Sequence, residues 1–262
     1  MTVKLLEELN DFEKLSLIPI SYSRLNTLDM CEAKYFFSYI LKEPQVFGAA
    51  ATLGNILHKV LEEKLEPNEK IDKNQLNDYI EEYHRHIPAY DPNGEIPDEL
   101  LIAGETMLVE FIDRHSGESF AIEEKEKGFS LVVGNALISG YIDRVDIIGD
   151  KLYITDYKSG KREETQKNIH RNIQLGIYAL AMDKLYPGKE IYASLYYLRS
   201  GKQKGHLFTK DDLQQIEMLI IELVNKLINK NNFSYTGNNF ICKFCDYAVN
   251  GTCSVGAKRV HP

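Results

Sequence analysis

The chain has 262 residues, 44% of them hydrophobic, so it can bury a substantial core, and we expect one domain over residues 1–262. The formal net charge of −8 argues against broad, non-specific nucleic-acid binding but allows a local basic surface. The first twenty residues contain four acids and no sustained apolar run, and no segment is apolar enough to cross a bilayer. We therefore expect a soluble, intracellular (cytoplasmic) protein without a signal peptide.

The first half of the chain is predicted to be helical. Four segments have apolar residues at helical spacing: 20–42, 50–65, 74–86 and 97–115. The first of them opens at a serine, Ser21 or Ser23, either of which can cap a helix. The last two are bounded by proline and glycine, so we interpret residues 67–117 as a helical insertion.

The second half combines strands with helices. Residues 120–158 alternate as strands do, 172–186 are helical in pattern, 191–199 form a further strand, and 209–230 form a long amphipathic helix. Residues 118–200 thus contain a small sheet with helices before, between and after it. This order predicts a mixed α/β fold.

A predicted hairpin within this sheet carries unusual charges. If Gly149 and Asp150 form its two-residue turn, Asp143 lies directly opposite Asp156, and Lys158 projects from the same face. Two carboxylates facing each other are destabilising unless something compensates them. A hard divalent cation such as Mg²⁺ would do so. A surface ion-pair cluster with the lysine as counter-ion is the alternative interpretation.

Basic residues follow the hairpin. They lie within residues 158–171 and are Lys158, Lys161, Arg162, Lys167, His170 and Arg171, interrupted by Glu163 and Glu164. The segment is either a local nucleic-acid-binding track or a solvated charged loop.

Four cysteines suggest a second metal centre. Cys242, Cys245 and Cys253 lie in a C-terminal segment, 238–258, and Cys31 lies far upstream. Disulfides are not expected in an intracellular chain. Four thiolates suit tetrahedral zinc or an iron–sulfur cluster, and free core cysteines are the alternative.

Several motifs together resemble one family. Asp143 followed by the "DYKSG" of residues 156–160 resembles the PD-(D/E)XK nuclease core in its RecB-like form. The resemblance extends to the S-x-S-R-L of residues 21–25, to Gly54-x3-His58, and to Gln174-x3-Tyr178. It implies a restriction-endonuclease-like core, a small mixed sheet flanked by helices, with residues 118–200 as the catalytic sheet.

The resemblance also implies a site. His58, Asp143, Asp156 and the main-chain carbonyl of Tyr157 would hold Mg²⁺ or Mn²⁺. Lys158 would position the attacking water, and Gln174 and Tyr178 would orient Lys158 or contact the DNA backbone.

A subset of these nucleases, including AddB subunits and CRISPR-associated exonucleases, has one N-terminal and three C-terminal cysteines around a 4Fe–4S cluster. By resemblance, Cys31, Cys242, Cys245 and Cys253 would hold such a cluster, with zinc as the alternative. The cluster would join the N- and C-terminal segments.

The function implied is a metal-dependent DNA exonuclease acting on single strands or ends, in DNA repair, recombination or CRISPR adaptation. Its partners would be DNA and a helicase or adaptation proteins, and a homo-oligomer is compatible with this function. One alternative is a DNA-binding or assembly subunit that no longer cuts. Another is a zinc-stapled domain that binds no nucleic acid and has a structural cation site. A redox role for the cluster is conceivable, but the sequence supplies no electron partner.

Overall fold

The structure is a computed structural model that describes residues 3–10, 14, 16–44, 48–228 and 232–260. Its helices are α1 (Tyr22–Met30), α2 (Glu32–Tyr35), α3 (Ala49–Lys64), α4 (Leu76–Tyr90), α5 (Asp98–His115), α6 (Ile173–Leu185), α7 (Lys210–Ile228), α8 (Asn239–Lys243), α9 (Asp246–Val249) and α10 (Ser254–Val260). Its strands are β1 (Lys4–Leu5), β2 (Ile18–Ile20), β3 (Ile122–Val133), β4 (Ala136–Ile148), β5 (Lys151–Lys158), β6 (Glu190–Tyr197) and β7 (Lys202–Phe208). Within the described ranges no helix is long and apolar enough to cross a membrane.

Two compact units divide the chain. We call residues 47–129 and 141–213 the carboxylate unit, and residues 1–46, 130–140 and 214–262 the cysteine unit. Strands β3 and β4 contribute residues to both. The single domain expected over residues 1–262 stays a prediction.

The carboxylate unit contains a mixed sheet in the strand order β3-β4-β5-β6-β7. Strand β5 pairs antiparallel with β4 and parallel with β6, and β7 returns antiparallel to β6. The parallel step needs a crossover connection, which helix α6 supplies. Residues 174–182 of α6 are all buried, so this helix is covered on every side. A mixed sheet with helices confirms the predicted α/β fold.

Helices α4 and α5 share a hydrophobic core with α3. Buried residues from all three helices form one cluster that includes Leu57, Tyr83 and Phe111. Tyr83 also donates a hydrogen bond to the Leu101 carbonyl at 3.0 Å. Gly104 permits this packing, because a Cβ there would lie 2.4 Å from the Tyr83 hydroxyl oxygen. The predicted helices at 74–86 and 97–115 are therefore confirmed within a few residues.

The cysteine unit includes residues 130–140, where β3 ends and β4 begins. Strand β1 pairs antiparallel with β3, and β2 pairs parallel with β4. Neither short strand was predicted. Helices α1 and α2, most of α7, and the three short C-terminal helices complete the unit.

The prediction of one continuous helix over residues 20–42 is wrong. Ser21 caps α1 as expected, since its hydroxyl accepts a hydrogen bond from the Arg24 amide. The helix then breaks at Cys31, whose φ of −165° and ψ of 112° are extended rather than helical. Residues 32–35 resume as α2, and a π-helical turn, Phe36–Ile40, follows. The predicted helix 209–230 matches α7 as far as Ile228, and residues 229 and 230 lie outside the described residues.

Candidate active site

Helix α3 brings His58 to the carboxylates. The helix is anchored by buried apolar residues at helical spacing: Leu53, Ile56, Leu57, Val60 and Leu61. His58 Nδ1 lies 3.3 Å from Asp143 Oδ2. One turn earlier, a Cβ on Gly54 would lie 3.0 Å from Ser159 Oγ, tighter than ordinary van der Waals contact. Gly54 therefore lets the loop that follows Lys158 approach the helix that carries His58.

The predicted hairpin brings the two aspartates together. Its register is confirmed from Ile148↔Lys151 to Arg144↔Thr155. Asp143 comes next toward the open end, and its Oδ2 accepts a hydrogen bond from the Tyr157 amide at 2.7 Å. The side chain of Asp143 thus binds the backbone of the strand that carries Asp156 and Lys158.

Gln174 connects Asp156 with Lys158. Its Nε2 donates to Asp156 Oδ1 at 2.8 Å, and its Oε1 accepts from Lys158 Nζ at 2.9 Å. Nε2 also lies within hydrogen-bonding distance of Tyr178 Oη, at 2.9 Å. Lys158 Nζ lies 2.6 Å from Asp156 Oδ2. Because Gln174 and Tyr178 are one turn apart on α6, a single helix face holds the lysine and the carboxylate in place.

Burial and neighbouring charges shift the pKa values of Asp156 and His58. Asp156 is only 2% exposed. Burial raises the pKa of Asp156, Lys158 opposes this shift, and the Asp143 charge adds to it. Burial alone would lower the pKa of His58, but the adjacent Asp143 carboxylate outweighs it and raises the pKa to about 9. The site thus concentrates two carboxylates, an imidazole and a lysine.

Comparison with known proteins identifies this arrangement. Residues 19–250 match the model of the PD-(D/E)XK nuclease superfamily. The chain belongs to the PD-(D/E)XK nuclease superfamily.

Solved structures agree at the level of fold. A "Putative exonuclease" from Eubacterium rectale is 13% identical, with a TM-score of 0.51, over 93% of this chain and 91% of that one. The protein SSO0001 is 16% identical, with a TM-score of 0.38, over 81% of this chain and 96% of its own. The second similarity is too low to support an argument. No curated protein matches the sequence.

The chemistry of the donor set suits the divalent ions that PD-(D/E)XK nucleases typically use, although the ligand atoms of His58, Asp143 and Asp156 do not all lie within 4.8 Å of one another. Asp156 Oδ2 is buried and lies 2.6 Å from the Lys158 ammonium. This oxygen could bind an ion together with the Asp143 carboxylate and the His58 imidazole, which would release its proton on binding. Carboxylate oxygens are the donors that Mg²⁺ and Mn²⁺ prefer. The role of the Tyr157 carbonyl as a further ligand stays a prediction.

Two further acids near the site were not predicted. Glu62 and Glu126 line a small pocket together with His58 and Asp143. Glu62 is one helical turn after His58, so its position was readable from the sequence. Glu126 was not, because it lies among other charged residues of β3 and adopts a left-handed φ of 47°. Burial raises the pKa of Glu126, and the neighbouring Asp143 charge adds to the shift.

The more polar face of the hairpin carries a buried arginine, Arg144. Arg144 is paired with Asp146 at 2.9 Å and donates to Tyr157 Oη at 2.7 Å. Its guanidinium lies 3.8 Å from the centroid of the Phe120 ring. The sequence indicated that this face of the hairpin is the more polar one, and the structure shows that its charges are buried and paired. This packing restrains both strands beside Asp143 and Asp156.

The four cysteines lie around one cavity of the cysteine unit. Cys31, Cys242, Cys245 and Cys253 all line this one small pocket. The Gly256 amide donates to Cys253 Sγ at 3.2 Å, and burial raises the pKa of the Cys253 thiol.

The thiols are nevertheless not closely gathered. Among the described residues, no three cysteine Sγ atoms lie within 4.8 Å of one another. Tetrahedral zinc, with Zn–S bonds of about 2.3 Å, needs sulfurs roughly 3.8 Å apart. A four-iron cluster holds its thiolates further apart, because iron and sulfide fill the space between them.

Proposed function

We propose that this chain is a metal-dependent deoxyribonuclease that hydrolyses phosphodiester bonds in single-stranded DNA or at DNA ends. The observation that carries the proposal is the bridge from Gln174 to both Asp156 and Lys158. A surface ion-pair cluster would not need a buried amide to hold a 2%-exposed carboxylate against a lysine. Family membership supports a nucleic-acid substrate.

Each residue has a distinct role in this proposal. His58, Asp143, Asp156 and the Tyr157 carbonyl would hold Mg²⁺ or Mn²⁺, and the ion would supply Lewis-acid activation of the scissile phosphate and the attacking water. Lys158 orients that water and offsets the negative charge that develops on the phosphate. Gln174 fixes the Lys158 ammonium, and Tyr178 fixes Gln174.

More narrowly, we propose that the chain is a RecB-like exonuclease of DNA repair, recombination or CRISPR adaptation. It would work inside the cell with a helicase or adaptation proteins. The "DYKSG", Gly54-x3-His58 and Gln174-x3-Tyr178 motifs support this identity. The exonuclease activity also agrees with the name of the Eubacterium rectale protein.

We further propose that Cys31, Cys242, Cys245 and Cys253 hold a 4Fe–4S cluster with a mainly structural role. A single cavity lined by all four residues supports a shared ligand. Iron, sulfide and zinc analysis of protein purified without oxygen tests this. One zinc per chain and no iron would overturn the cluster proposal and leave the nuclease proposal intact.

The deciding experiment is cleavage of end-labelled single-stranded and duplex DNA with Mn²⁺, Mg²⁺ or chelator. We expect metal-dependent cleavage by the wild type and none by Asp143→Ala or Lys158→Ala. Asp150→Ala, in the exposed turn at the far end of the same hairpin, is the matched control and should cut normally. A wild type that binds DNA but cuts nothing with either metal would be the non-cutting assembly subunit instead.

A further inference from the structure

The segment of residues 159–173 begins and ends at the candidate active site. It connects Lys158, the last residue of β5, with Gln174 on α6, and Lys158 Nζ donates a hydrogen bond to Gln174 Oε1 at 2.9 Å. Because an extended chain spans at most about 3.6 Å per residue, the Cα atoms of Lys161 and Arg162 lie within roughly 15 Å of Lys158. The segment is therefore close enough to contact a strand bound at the site.

Glu163, one of the two acids that interrupt the segment, is paired with lysines of strand β7. Glu163 Oε2 lies 2.7 Å from Lys204 Nζ and 3.7 Å from Lys202 Nζ. Its hydrogen bonds with Lys204 and Ser200 lower the pKa of Glu163 to about 2. The Glu163 charge is therefore paired with β7.

Hydrogen bonds on both sides fix the shape of the segment. Arg199 Nε donates to the Ser159 carbonyl at 2.8 Å, and the Glu164 amide donates to Tyr197 Oη at 2.7 Å. Gln166 Nε2 donates to the Gly205 carbonyl at 2.8 Å. These anchors order the backbone before any ligand binds, which reduces the entropic cost of binding.

Cations project from this fixed backbone. Lys161 and Arg162 are exposed, and so are Lys167 and Arg171 on the 3₁₀-helical turn Gln166–Arg171. A chain with a net charge of −8 thus presents a basic surface next to its catalytic lysine.

Resting on the proposed function, we propose that Lys161 and Arg162 bind phosphates of the DNA strand that flank the scissile bond. Phosphates follow one another every ~3.4 Å along the axis of a B-form strand, so this surface lies within a few nucleotides of the cut. Pairing of Glu163 with Lys204 offsets one of the two negative charges in the segment that would repel the strand.

The test is binding of a labelled single-stranded DNA of about 20 nucleotides, measured by fluorescence anisotropy in chelator at several salt concentrations. Each phosphate contact contributes about 0.7 to the slope of log K against log salt. For K161A/R162A we expect a slope smaller by about 1.4 and, with equal binding at 1 M salt, affinity about 25-fold weaker at 0.1 M salt. The charge-conserving K161R/R162K should retain the wild-type slope.

The matched control is K151A/K189A. Lys151 begins the same strand that ends at Lys158, about 23 Å away for seven residues, and Lys189 donates to the carbonyl of Gly149 in the hairpin turn. This control should bind as the wild type does. An unchanged slope for K161A/R162A, or a wild type that binds no DNA, would overturn the inference. Loss of slope in a protein that does not cleave would support the inference while refuting the proposed nuclease function.

Discussion

Gly54 and Ser159 meet where helix α3 passes the loop after Lys158, and a Cβ on Gly54 would lie 3.0 Å from Ser159 Oγ. Among the described residues, no other heavy atom lies within 4 Å of that Cβ position, apart from Gly54 itself, its chain neighbours and the nearby backbone of its own helix. The contact therefore links the position of His58 on one element to the path of the chain after Lys158 on another.

We expect Gly54→Ala to lower DNA cleavage without lowering thermal stability. Alanine is up to about 1 kcal/mol better than glycine inside a helix, which offsets the cost of the close contact with Ser159. The thermal midpoint should stay constant or rise, whereas DNA cleavage should fall because the loop after Lys158 moves. Gly160→Ala is the control, because no atom of the described part of the chain would lie within 4 Å of a Cβ at that position.

The double variant G54A/S159A makes this prediction specific. Removing the Ser159 hydroxyl removes the atom that the new Cβ would meet, so cleavage should return toward that of S159A alone. Cleavage that stays low in the double variant would show that Gly54 acts in some other way.

Gln174→Leu should lower kcat by roughly 100-fold, because Lys158 and Asp156 lose their shared partner and misplacement by about 1 Å has this effect. Tyr178→Phe should cost less, since the Gln174 amide keeps both primary contacts. Steady-state kinetics on DNA with Mn²⁺ measures both. An equal decrease in kcat for the two variants would contradict the prediction that Gln174 matters more than Tyr178.

Mn²⁺ should raise the thermal midpoint of the wild type, because a ligand that binds only the folded state stabilises it. Asp156→Asn should abolish this rise, since it removes a ligand charge while keeping a side chain of similar shape. Asp150→Asn, in the turn of the same hairpin, should behave as the wild type. A full Mn²⁺ shift in Asp156→Asn would exclude Asp156 as a ligand.

Acid should weaken the start of helix α7 through Asp212. Asp212 Oδ2 accepts hydrogen bonds from the amide and hydroxyl of Thr209, and His206 Nε2 lies 3.0 Å away. Burial opposes ionisation, but these hydrogen bonds and His206 lower the pKa of Asp212 to about 2. A carboxyl with a lowered folded-state pKa stabilises the fold above its unfolded pKa, about 3.9, and that stability is lost as pH falls toward 2.

Asp212→Asn should therefore lower the free energy of unfolding by about 1–2 kcal/mol at neutral pH. The difference from the wild type should shrink below pH 4. Asp211→Asn, in the same helical turn, is the control. Urea unfolding across this pH range measures the effect, and a difference that is constant with pH would contradict the linkage.

Much of the site could be read from local sequence because its parts are local. A two-residue turn at Gly149 and Asp150 sets the hairpin register, so the proximity of Asp143, Asp156 and Lys158 follows from counting. The four-residue spacing of Gln174 and Tyr178 likewise follows from helix geometry.

Other features depend on contacts between distant segments. The break at Cys31 was missed because residues 20–42 have a helical pattern throughout, and intrinsic helix propensity is only a weak guide. Strands β1 and β2 are too short to show a period, and they exist through pairing with β3 and β4.

The sequence by itself determined the α/β class, the hairpin register and the residues of the candidate site, because turn chemistry and periodicity act over a few residues. Tertiary structure alone decided that Gln174 bridges Asp156 and Lys158, that Gly54 makes room for Ser159, and that Lys204 neutralises Glu163. These relationships join elements far apart in the chain. Their distances depend on how the core packs, and no local pattern encodes that packing.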